Sequence, residues 1–405
     1  MLSCSCAIAR NDVITPSTFA TMVQRAARLA QAQLLVQYEA RLPPYSKRFR
    51  WPIFAHLLVA QAGLHDILFC HKTDNASDSG YERSFLKHLV RHIEDAIYKC
   101  NEEDAAWMGI PQSDWVVDDA LLDRYISLIS QPTTGDICGS SAPSTMISKR
   151  YFPVPHSSTY HPLLGSCDYV YSVEEGKAIS QGTTGLKTWE ASLRLAAYLV
   201  QHPYHCAKQR RFLELGSGTG FLGLVCARLM MANGGQMTNI YLTDFDEQVL
   251  ERLQESVHLS KCCKPYTDNV PGVHIQSLNW TKVTSRDEDT ISYLNEVNPD
   301  CVLAADVVYD PSLVPHLVST LYALLTRSRN ESHTYALVSS TVRNPDTYEL
   351  FVRCLQEKGL YYSIVAPDSY LGSNTWGLPL FPSVHDTELE GRVEILIIQA
   401  VPFPL

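Results

Sequence analysis

The length, composition and charge of the chain set the first limits. It has 405 residues, of which 45% are hydrophobic and 19% charged, and Asp and Glu outnumber Lys and Arg by 43 to 33. These values describe a globular protein that is too long for one small core, so two domains are expected. The net charge of −10 disfavours direct nucleic-acid binding, because an acidic surface repels phosphate backbones.

Membrane, secretory and metal-binding classes are not supported by the sequence. No apolar stretch approaches the roughly 20 residues that span a bilayer, and the first residues lack the pattern of a signal peptide. The 12 cysteines include no C-x-x-C pair. We therefore expect no metal site, and free thiols in a reducing cytoplasm.

The first part of the chain has the apolar periodicity of helices. Apolar residues recur at three- and four-residue spacing in four segments, at 19–42, 54–69, 84–97 and 118–130. The sequence therefore predicts an N-terminal helical domain over residues 1–130. The next stretch, 131–150, is rich in Ser, Thr, Gly and Pro, which is typical of a linker.

Residues 151–405 are predicted to form an α/β domain. A hairpin of "DYVYSV" and "KAIS" is expected first, followed by a helix beginning near Trp189. Seven short apolar strands then follow, with helical patterns between most of them at 220–232, 246–259, 311–327 and 345–358. This alternation predicts a parallel, doubly wound sheet that binds its ligand at the carboxyl ends of the central strands.

A glycine loop follows the first of these strands in "RFLELGSGTGFLG". Counted from Gly218, the spacing is the G-x-G-x-x-G of dinucleotide sites. Counted from Glu214, it is the E-x-G-x-G-x-G that usually begins an S-adenosyl-L-methionine site. The extra turn at Gly216 favours the second reading, and so does Glu214, which would repel a diphosphate but suit a charged amino-acid moiety.

Two alternatives stay open at this loop. Asp244, at the end of the next strand, would accept hydrogen bonds from the ribose of either cofactor, or would serve only as a helix N-cap. The glycines could also merely close a strand–helix turn. An NAD-dependent oxidoreductase is therefore the alternative enzyme class.

The fourth strand ends in Asp306-Val307-Val308-Tyr309. Methyltransferases that modify the amino groups of planar bases usually carry a proline pair between the acid and the aromatic residue. Here the acid and the aromatic residue are present without the prolines. This pattern favours a narrow channel for an aliphatic amine.

These residues resemble those of a known family. "DVVY" is similar to the D-x-x-Y signature of the family 16 seven-β-strand protein methyltransferases, most of which modify lysine. The resemblance continues at "TTGLKTWEASL" (183–193), "LNWTKV" (278–283) and "STVRNPDTYELF" (340–351). "YEARLPPYSKRFRWP" (38–52) also resembles the helical extension of the branch that modifies a lysine of eukaryotic translation elongation factor 2. The resemblance covers about residues 35–401.

The resemblance implies a Rossmann-like seven-stranded methyltransferase sheet and an S-adenosyl-L-methionine-dependent protein-lysine N-methyltransferase. The implied substrate is translation elongation factor 2, the implied product trimethyllysine, and we expect a cytoplasmic monomer. The cofactor-binding residues that it implies, with Glu214 added from the loop pattern, are Trp189, Glu214, Gly216, Ser217, Gly218, Asp244, Trp280 and Ala305. Asp306 would orient the substrate nitrogen and Tyr309 would form a wall beside it.

Other interpretations of the same residues remain. Trp189 and Trp280 could be ordinary core aromatics, and Asp306 a satisfied carboxylate at a strand end. The whole domain could be a catalytically inactive binding module. We expect the helical domain to hold the protein substrate, with a packing cap as the alternative.

Overall fold

The computed structural model of the protein describes residues 16–70, 79–130, 145–154, 160–175, 184–208, 211–232, 239–262, 272–326, 334–369, 372–385 and 387–401. The chain divides into two compact units. The first comprises Met1–Leu35 and Arg50–Pro132, and the second comprises Val36–Phe49 and Thr133–Leu405. Most of the predicted linker lies outside the described residues, and its last six residues belong to a strand.

The described part of the first unit is helical. Its helices are α1 (Pro16–Glu39, which continues into the second unit), α2 (Phe54–Ala60), α3 (Leu64–Phe69), α4 (Ser79–Lys99), α5 (Glu102–Met108) and α6 (Asp119–Ser130), with a short 3-10 turn at Gln112–Asp114. The single helix predicted over 54–69 is two helices. The chain breaks at Gly63, whose φ of +75° lies in the left-handed region that glycine tolerates best.

Helix α5 was not predicted, although its end signals are present in the sequence. Asn101 accepts hydrogen bonds from the amides of Glu103 and Asp104, and the Asp104 side chain accepts one from the Asn101 amide. This reciprocal capping box satisfies backbone donors at the helix start. Gly109 ends the helix in the left-handed conformation. The helix is only seven residues long, so its apolar periodicity is too brief to stand out.

The second unit contains a small antiparallel sheet before its main sheet. Its strands are β1 (Thr145–Pro153), β2 (Tyr160–His161) and β3 (Gly165–Glu175), in the order β1-β3-β2. "DYVYSV" therefore lies in a strand as predicted, but it pairs with β1. Its predicted partner "KAIS" lies outside the described residues.

The main sheet has seven strands, which correspond to the seven predicted ones. The remaining elements of the second unit are α7 (Glu190–Gln201), α8 (Tyr204–Lys208), β4 (Arg211–Leu215), α9 (Phe221–Ala232), β5 (Asn239–Asp244), α10 (Glu247–Cys262), β6 (Gly272–Ser277), α11 (Trp280–Thr284), α12 (Glu288–Val297), β7 (Cys301–Ala305), α13 (Val314–Leu325), β8 (Tyr335–Thr341), α14 (Pro345–Glu357), β9 (Tyr361–Ile364), a 3-10 turn (Pro367–Ser369), α15 (Thr387–Glu390) and β10 (Val393–Gln399). The order is β6-β5-β4-β7-β8-β10-β9. The predicted seven-stranded methyltransferase sheet is confirmed by this order.

The predicted parallel sheet contains one antiparallel strand. β10 lies between β8 and β9 and is antiparallel to both. Parallel neighbours need a crossover connection, usually a helix. Between β9 and β10 the described chain holds only the short turn at Pro367–Ser369 and the four-residue α15, so β10 returns in the opposite direction.

Strand side chains alternate between two hydrophobic cores, one on each face of the sheet. In β4, for example, Phe212 packs into one core and Leu213 into the other. Both faces are therefore covered, as expected for a doubly wound sheet. The carboxyl ends of β4, β5 and β7 lie side by side at Leu215, Asp244 and Ala305. None of the described helices is both long and apolar enough to cross a bilayer.

Candidate functional site

The carboxyl ends of β4, β5 and β7 border a cavity of about 520 Å³. All ten residues predicted for the site line it, namely Trp189, Glu214, Gly216, Ser217, Gly218, Asp244, Trp280, Ala305, Asp306 and Tyr309. They come from five separate parts of the sequence, and the fold brings them together at the switch point of the sheet. Their individual roles stay predictions.

The loop after β4 has a shape that requires glycine. Gly216, Gly218 and Gly220 all have positive φ values, of +67°, +53° and +80°. A Cβ on Gly216 would lie 2.7 Å from Cγ1 of Val307, and one on Gly218 would lie 3.0 Å from the carbonyl oxygen of Gly185. The loop therefore lies close to neighbouring loops on two sides. A side chain at Gly216 or Gly218 would strain the backbone and overlap with these neighbours.

Glu214 is the most unusual ionisable group of the cavity. It is 2% exposed, and burial raises its pKa to about 8. Its Oε2 has no hydrogen-bond partner among the described residues. An unpartnered, buried carboxyl oxygen is costly unless a ligand or a proton satisfies it. Glu214 is therefore prepared to meet a cationic or hydrogen-bond-donating group.

Asp244 and Ser217 fix the glycine loop to β5. The Gly218 amide donates to Oδ2 of Asp244 at 3.1 Å, and the Phe245 amide donates to Oδ1 at 2.8 Å. Burial raises the pKa of Asp244, although these amides act in the opposite direction. The Ser217 hydroxyl accepts from the amide of Thr243 at 3.0 Å. Both side chains thus shape the loop in addition to any contact with a ligand.

The two predicted tryptophans both line the cavity. Trp189 is the N-cap residue of α7, which confirms the predicted helix start. Its indole Nε1 donates to the carbonyl oxygen of Thr184 at 2.8 Å. Trp280 begins α11, and its ring is the neighbour that a Cβ on Gly216 would approach at 3.7 Å. Ala305, at the end of β7, adds a small side chain to the lining.

Asp306 has a strained backbone and a fully engaged carboxylate. Its φ is +59°, a region that non-glycine residues rarely adopt outside functional sites and turns. Arg343 donates to both carboxylate oxygens, from Nη1 at 3.0 Å and from Nη2 at 2.9 Å. Thr341 adds its amide at 3.2 Å and its hydroxyl at 3.4 Å. Tyr309, three residues on, is 54% exposed and lies in the cavity wall.

Arg343 was not singled out from the sequence. Its guanidinium carbon also lies 4.9 Å from the centre of the Trp189 ring, so it joins two predicted site residues. Thr188 was missed as well, and its hydroxyl contacts that of Thr219 in the glycine loop at 2.9 Å. Both residues lie inside segments quoted for the family resemblance, "STVRNPDTYELF" and "TTGLKTWEASL". No pattern in the sequence pairs Arg343 with Asp306.

Comparison with known proteins identifies the region that carries this site. A family model described as lysine methyltransferase matches residues 174–357. That range runs from the end of β3 to the end of α14 and includes all ten predicted site residues and Arg343. The prediction of a methyltransferase domain is therefore confirmed. The family favours S-adenosyl-L-methionine over a dinucleotide as cofactor, as predicted from Glu214 and Gly216.

Two relatives show how far the similarity extends. The bovine (Bos taurus) protein-lysine N-methyltransferase EEF2KMT is 37% identical over 206 residues, which are 49% of this chain and 59% of the relative. The protein-lysine N-methyltransferase EFM3 of Chaetomium thermophilum is 28% identical over 291 residues, which are 72% of this chain and 75% of the relative. The chain thus spans less than two thirds of the bovine relative's length.

Among solved structures, the O-methyltransferase of Bacillus cereus in complex with SAH is 11% identical, with a TM-score of 0.33 over 52% of this chain and 81% of that one. The precorrin-6y C5,15-methyltransferase of Geobacter metallireducens is 14% identical, with a TM-score of 0.32 over 56% of this chain and 94% of that one. Residues 174–357 therefore match the lysine methyltransferase family model, and they contain five of the seven strands of the main sheet, β4 to β8.

Proposed function

We propose that the protein is an S-adenosyl-L-methionine-dependent protein-lysine N-methyltransferase whose substrate is translation elongation factor 2 and whose product is trimethyllysine. The observation that carries the proposal is the cavity at the ends of β4, β5 and β7, where a glycine loop and Asp306-x-x-Tyr309 share one space. The family match over residues 174–357 supports lysine as the acceptor. The name EEF2KMT of the bovine relative supports elongation factor 2.

The residues of the cavity fit the proposed cofactor. The three positive-φ glycines leave a cradle that side chains would fill, and Gly216 to Gly218 would hold the methionine part there. Glu214 has an unpartnered, buried carboxyl oxygen suited to a positively charged ligand. The ionised form of the same group would repel a diphosphate. Asp244 would bind the ribose, and Trp189, Trp280 and Ala305 would pack around the cofactor.

When bound, the cofactor supplies a methyl group whose carbon–sulfur bond breaks as the lysine nitrogen attacks. The nitrogen must arrive as a neutral amine, although a free lysine has a pKa near ~10.4 and is protonated at neutral pH. A confined site beside positive charge disfavours the ammonium form. The proton therefore leaves to water, and the site contributes mainly by holding the two reactants in line. Asp306 would orient the amine and Tyr309 would form the channel wall.

The direct test incubates the purified protein with methyl-labelled S-adenosyl-L-methionine and purified eukaryotic elongation factor 2. We expect label in the factor and a mass increase of three methyl groups on one lysine-containing peptide. A lysine-rich histone mixture is the control protein and should stay unlabelled. Label in the histones at the same rate would reject the proposed specificity.

The same preparation separates the alternatives. Calorimetric binding of S-adenosyl-L-methionine without transfer to any protein would favour the inactive binding module. Binding of NAD instead of S-adenosyl-L-methionine would favour the alternative of an NAD-dependent oxidoreductase. We also expect the protein to act as a cytoplasmic monomer, which light scattering of the purified protein and imaging of a tagged chain would test.

A further inference from the structure

Arg343 contacts the carboxylate that an incoming lysine is expected to meet. An ionised carboxylate accepts about four hydrogen bonds. Asp306 receives two from Arg343 and two from Thr341, so its acceptor sites are filled before any substrate binds. Its side chain is only 7% exposed and that of Arg343 is 37% exposed. A substrate nitrogen must therefore displace one of these donors or share the site with them.

We propose that Arg343 is a positioning residue that stays paired with Asp306 during the reaction and causes the site to accept the substrate lysine as a neutral amine. The inference rests on the proposed function, since it concerns the same site and the same acceptor. It adds a second charged residue to the predicted pair of Asp306 and Tyr309, and it assigns that residue a charge-balancing role.

The contacts of Arg343 favour retention over displacement. Its planar guanidinium forms a two-point fork with Asp306, which is the strongest geometry for an arginine–carboxylate pair. Its other surface lies 4.9 Å from the ring centre of Trp189, within the range of a cation–π contact. Trp189 is itself held by the hydrogen bond to Thr184. Removing Arg343 would leave a nearly buried carboxylate unpaired, which is unfavourable.

The substrate amine can replace the weakest of the four hydrogen bonds to Asp306. The Thr341 hydroxyl lies 3.4 Å from Oδ2 of Asp306, close to the limit for a hydrogen bond. An amine N–H can replace that hydroxyl while the fork stays intact. Asp306 then aims the amine, and its negative charge is already balanced by Arg343.

The charge balance determines the protonation state of the lysine. If Asp306 were unpaired, it would attract and stabilise an ammonium, which cannot attack a methyl group. With Arg343 beside it, an arriving ammonium meets a neutral pair and a sulfonium. The sulfonium lowers the pKa of the lysine, because like charge disfavours the protonated form. The neutral pair removes the attraction by which an unpaired Asp306 would raise that pKa.

Several other charged and titratable groups lie near the pair of Asp306 and Arg343, and all of them are present in every Arg343 variant. Those lining the large cavity are Lys187, Glu214, Asp244, Asp246, Tyr309 and Asp310. Arg343 also lines a smaller cavity of about 180 Å³, together with Arg41, Arg150, Glu174, Glu175, Lys187, Glu190, His385 and Glu390. This smaller cavity gives the Arg343 side chain room to move, so the test must also detect its displacement.

The test compares the pH dependence of kcat for the wild type, Arg343→Met, Arg343→Lys and Arg353→Met with elongation factor 2 at saturation. kcat reports the groups of the enzyme–substrate complex. Removing the Arg343 charge should raise the pKa of the bound lysine, so the acidic limb of Arg343→Met should move to higher pH by about one unit. At neutral pH its kcat should fall about tenfold and recover on the alkaline side, with unchanged calorimetric binding of S-adenosyl-L-methionine.

The other two variants separate charge from folding. Arg343→Lys keeps the positive charge but loses the two-point hydrogen bonding to Asp306. The acidic limb of its kcat profile should therefore lie at the same pH as in the wild type, while kcat itself falls. Arg353 is exposed on α14, and Arg353→Met should behave as the wild type. If Arg343→Met does not fold, an alkaline shift in Arg343→Lys overturns the proposal and an unshifted limb supports it.

Proton release gives a second readout that needs no turnover. Calorimetry counts the protons released when elongation factor 2 binds, if the titration is repeated in buffers of different ionisation enthalpy. A charged, unreactive cofactor analogue is present throughout. The wild type should release about one proton as the lysine becomes neutral, and Arg343→Met fewer. An unshifted kcat limb in Arg343→Met, or a kcat above the wild type at neutral pH, would overturn the proposal. Absence of methylation by the wild type would instead reject the proposed function.

Discussion

Asp306 shows how one residue combines backbone strain, burial and charge. Its φ of +59° costs an ordinary L-residue about 1–2 kcal/mol, while Asn and Asp tolerate this conformation best. Its carboxylate is held by Arg343 and Thr341. The strain therefore points the side chain into the cavity, and the hydrogen bonds keep it there. A useful substitution must remove the charge without adding strain.

We expect Asp306→Asn to lower the methyl-transfer rate by at least about 100-fold, because one carboxylate oxygen becomes an NH2 donor and the negative charge paired with Arg343 is lost. Asn keeps the left-handed backbone, so the fold and calorimetric binding of S-adenosyl-L-methionine should be retained. Asp306→Ala should lose the same activity and additional stability. The control is Asp346→Asn on the exposed start of α14. Near-normal turnover by Asp306→Asn would exclude Asp306 as the orienting group.

Glu214 should make stability depend on pH. Its pKa is about 8 in the folded protein because it is buried, and about 4.3 when unfolded. Below the lower value both states are protonated. Between the two values only the folded state keeps the proton, so the free energy of unfolding falls as pH rises through this window. The upper bound of this loss is about 5 kcal/mol.

Glu214→Gln stays neutral and should lack this slope. Urea unfolding of both proteins at about pH 5.5, 7 and 8.5 measures the difference, and the comparison cancels the contributions of other groups. We expect the free energy of unfolding of the variant to increase relative to that of the wild type as pH rises. The variant should also bind the cationic cofactor more weakly. Parallel pH profiles for the two proteins would show that Glu214 is not protonated in the folded state.

At the scale of the elements, the site depends on the junction of β4, its glycine loop and α9. Gly220 precedes α9 with a φ of +80°. A Cβ on it would lie 2.4 Å from Cδ1 of Leu253, which is fully buried in the core. The loop, the helix start and α10 are therefore packed against one another at this glycine.

Gly220→Ala should be far more destabilising than Gly359→Ala. Both positions have left-handed φ values, of +80° and +69°, so both substitutions cost about 1 kcal/mol or more in backbone strain. A Cβ on Gly359 meets no atom within 4 Å. Only Gly220→Ala adds overpacking, of about 1–3 kcal/mol. Chemical denaturation measures both, and equal losses would mean that Leu253 moves aside freely.

For the whole molecule, the boundary between the two units is not a single point in the sequence. Val36–Phe49 belongs to the second unit, where Arg41 Nε donates to the carbonyl oxygen of Ile147 in β1 at 3.0 Å. Tyr38 and Leu42 in this segment are buried. We therefore expect a fragment that starts at residue 133 to be less stable than one that retains this segment.

The helical unit is proposed to hold the protein substrate, because a single lysine side chain offers few contacts for discrimination. The test removes residues 1–35 and replaces residues 50–132 with a flexible Gly/Ser linker of about 20 residues. We expect normal binding of S-adenosyl-L-methionine and at least about a tenfold fall in kcat/KM for intact elongation factor 2. Normal methylation by this variant would favour the packing cap.

Local patterns were enough for the elements of the sheet. All seven strands and four of the helices between them were predicted, because their apolar residues repeat with clear periods. Helix α12, between β6 and β7, was not predicted. The reversal of β10 was not predicted, since strand direction depends on the path between strands and not on the strand itself. Helix α5 and the break at Gly63 were missed, because each depends on one or two end residues within a short segment.

The sequence by itself determined the kind of sheet, the glycine loop and ten of the residues that line its cavity, because strand-end motifs occupy the same edge of a parallel sheet. Only the tertiary structure revealed that Arg343 pairs with Asp306 and contacts Trp189. These residues are far apart in the chain, and their distances are set by how the loops after β7 and β8 and before α7 fold together. The raised pKa of Glu214 is likewise a result of burial, which depends on the surrounding elements.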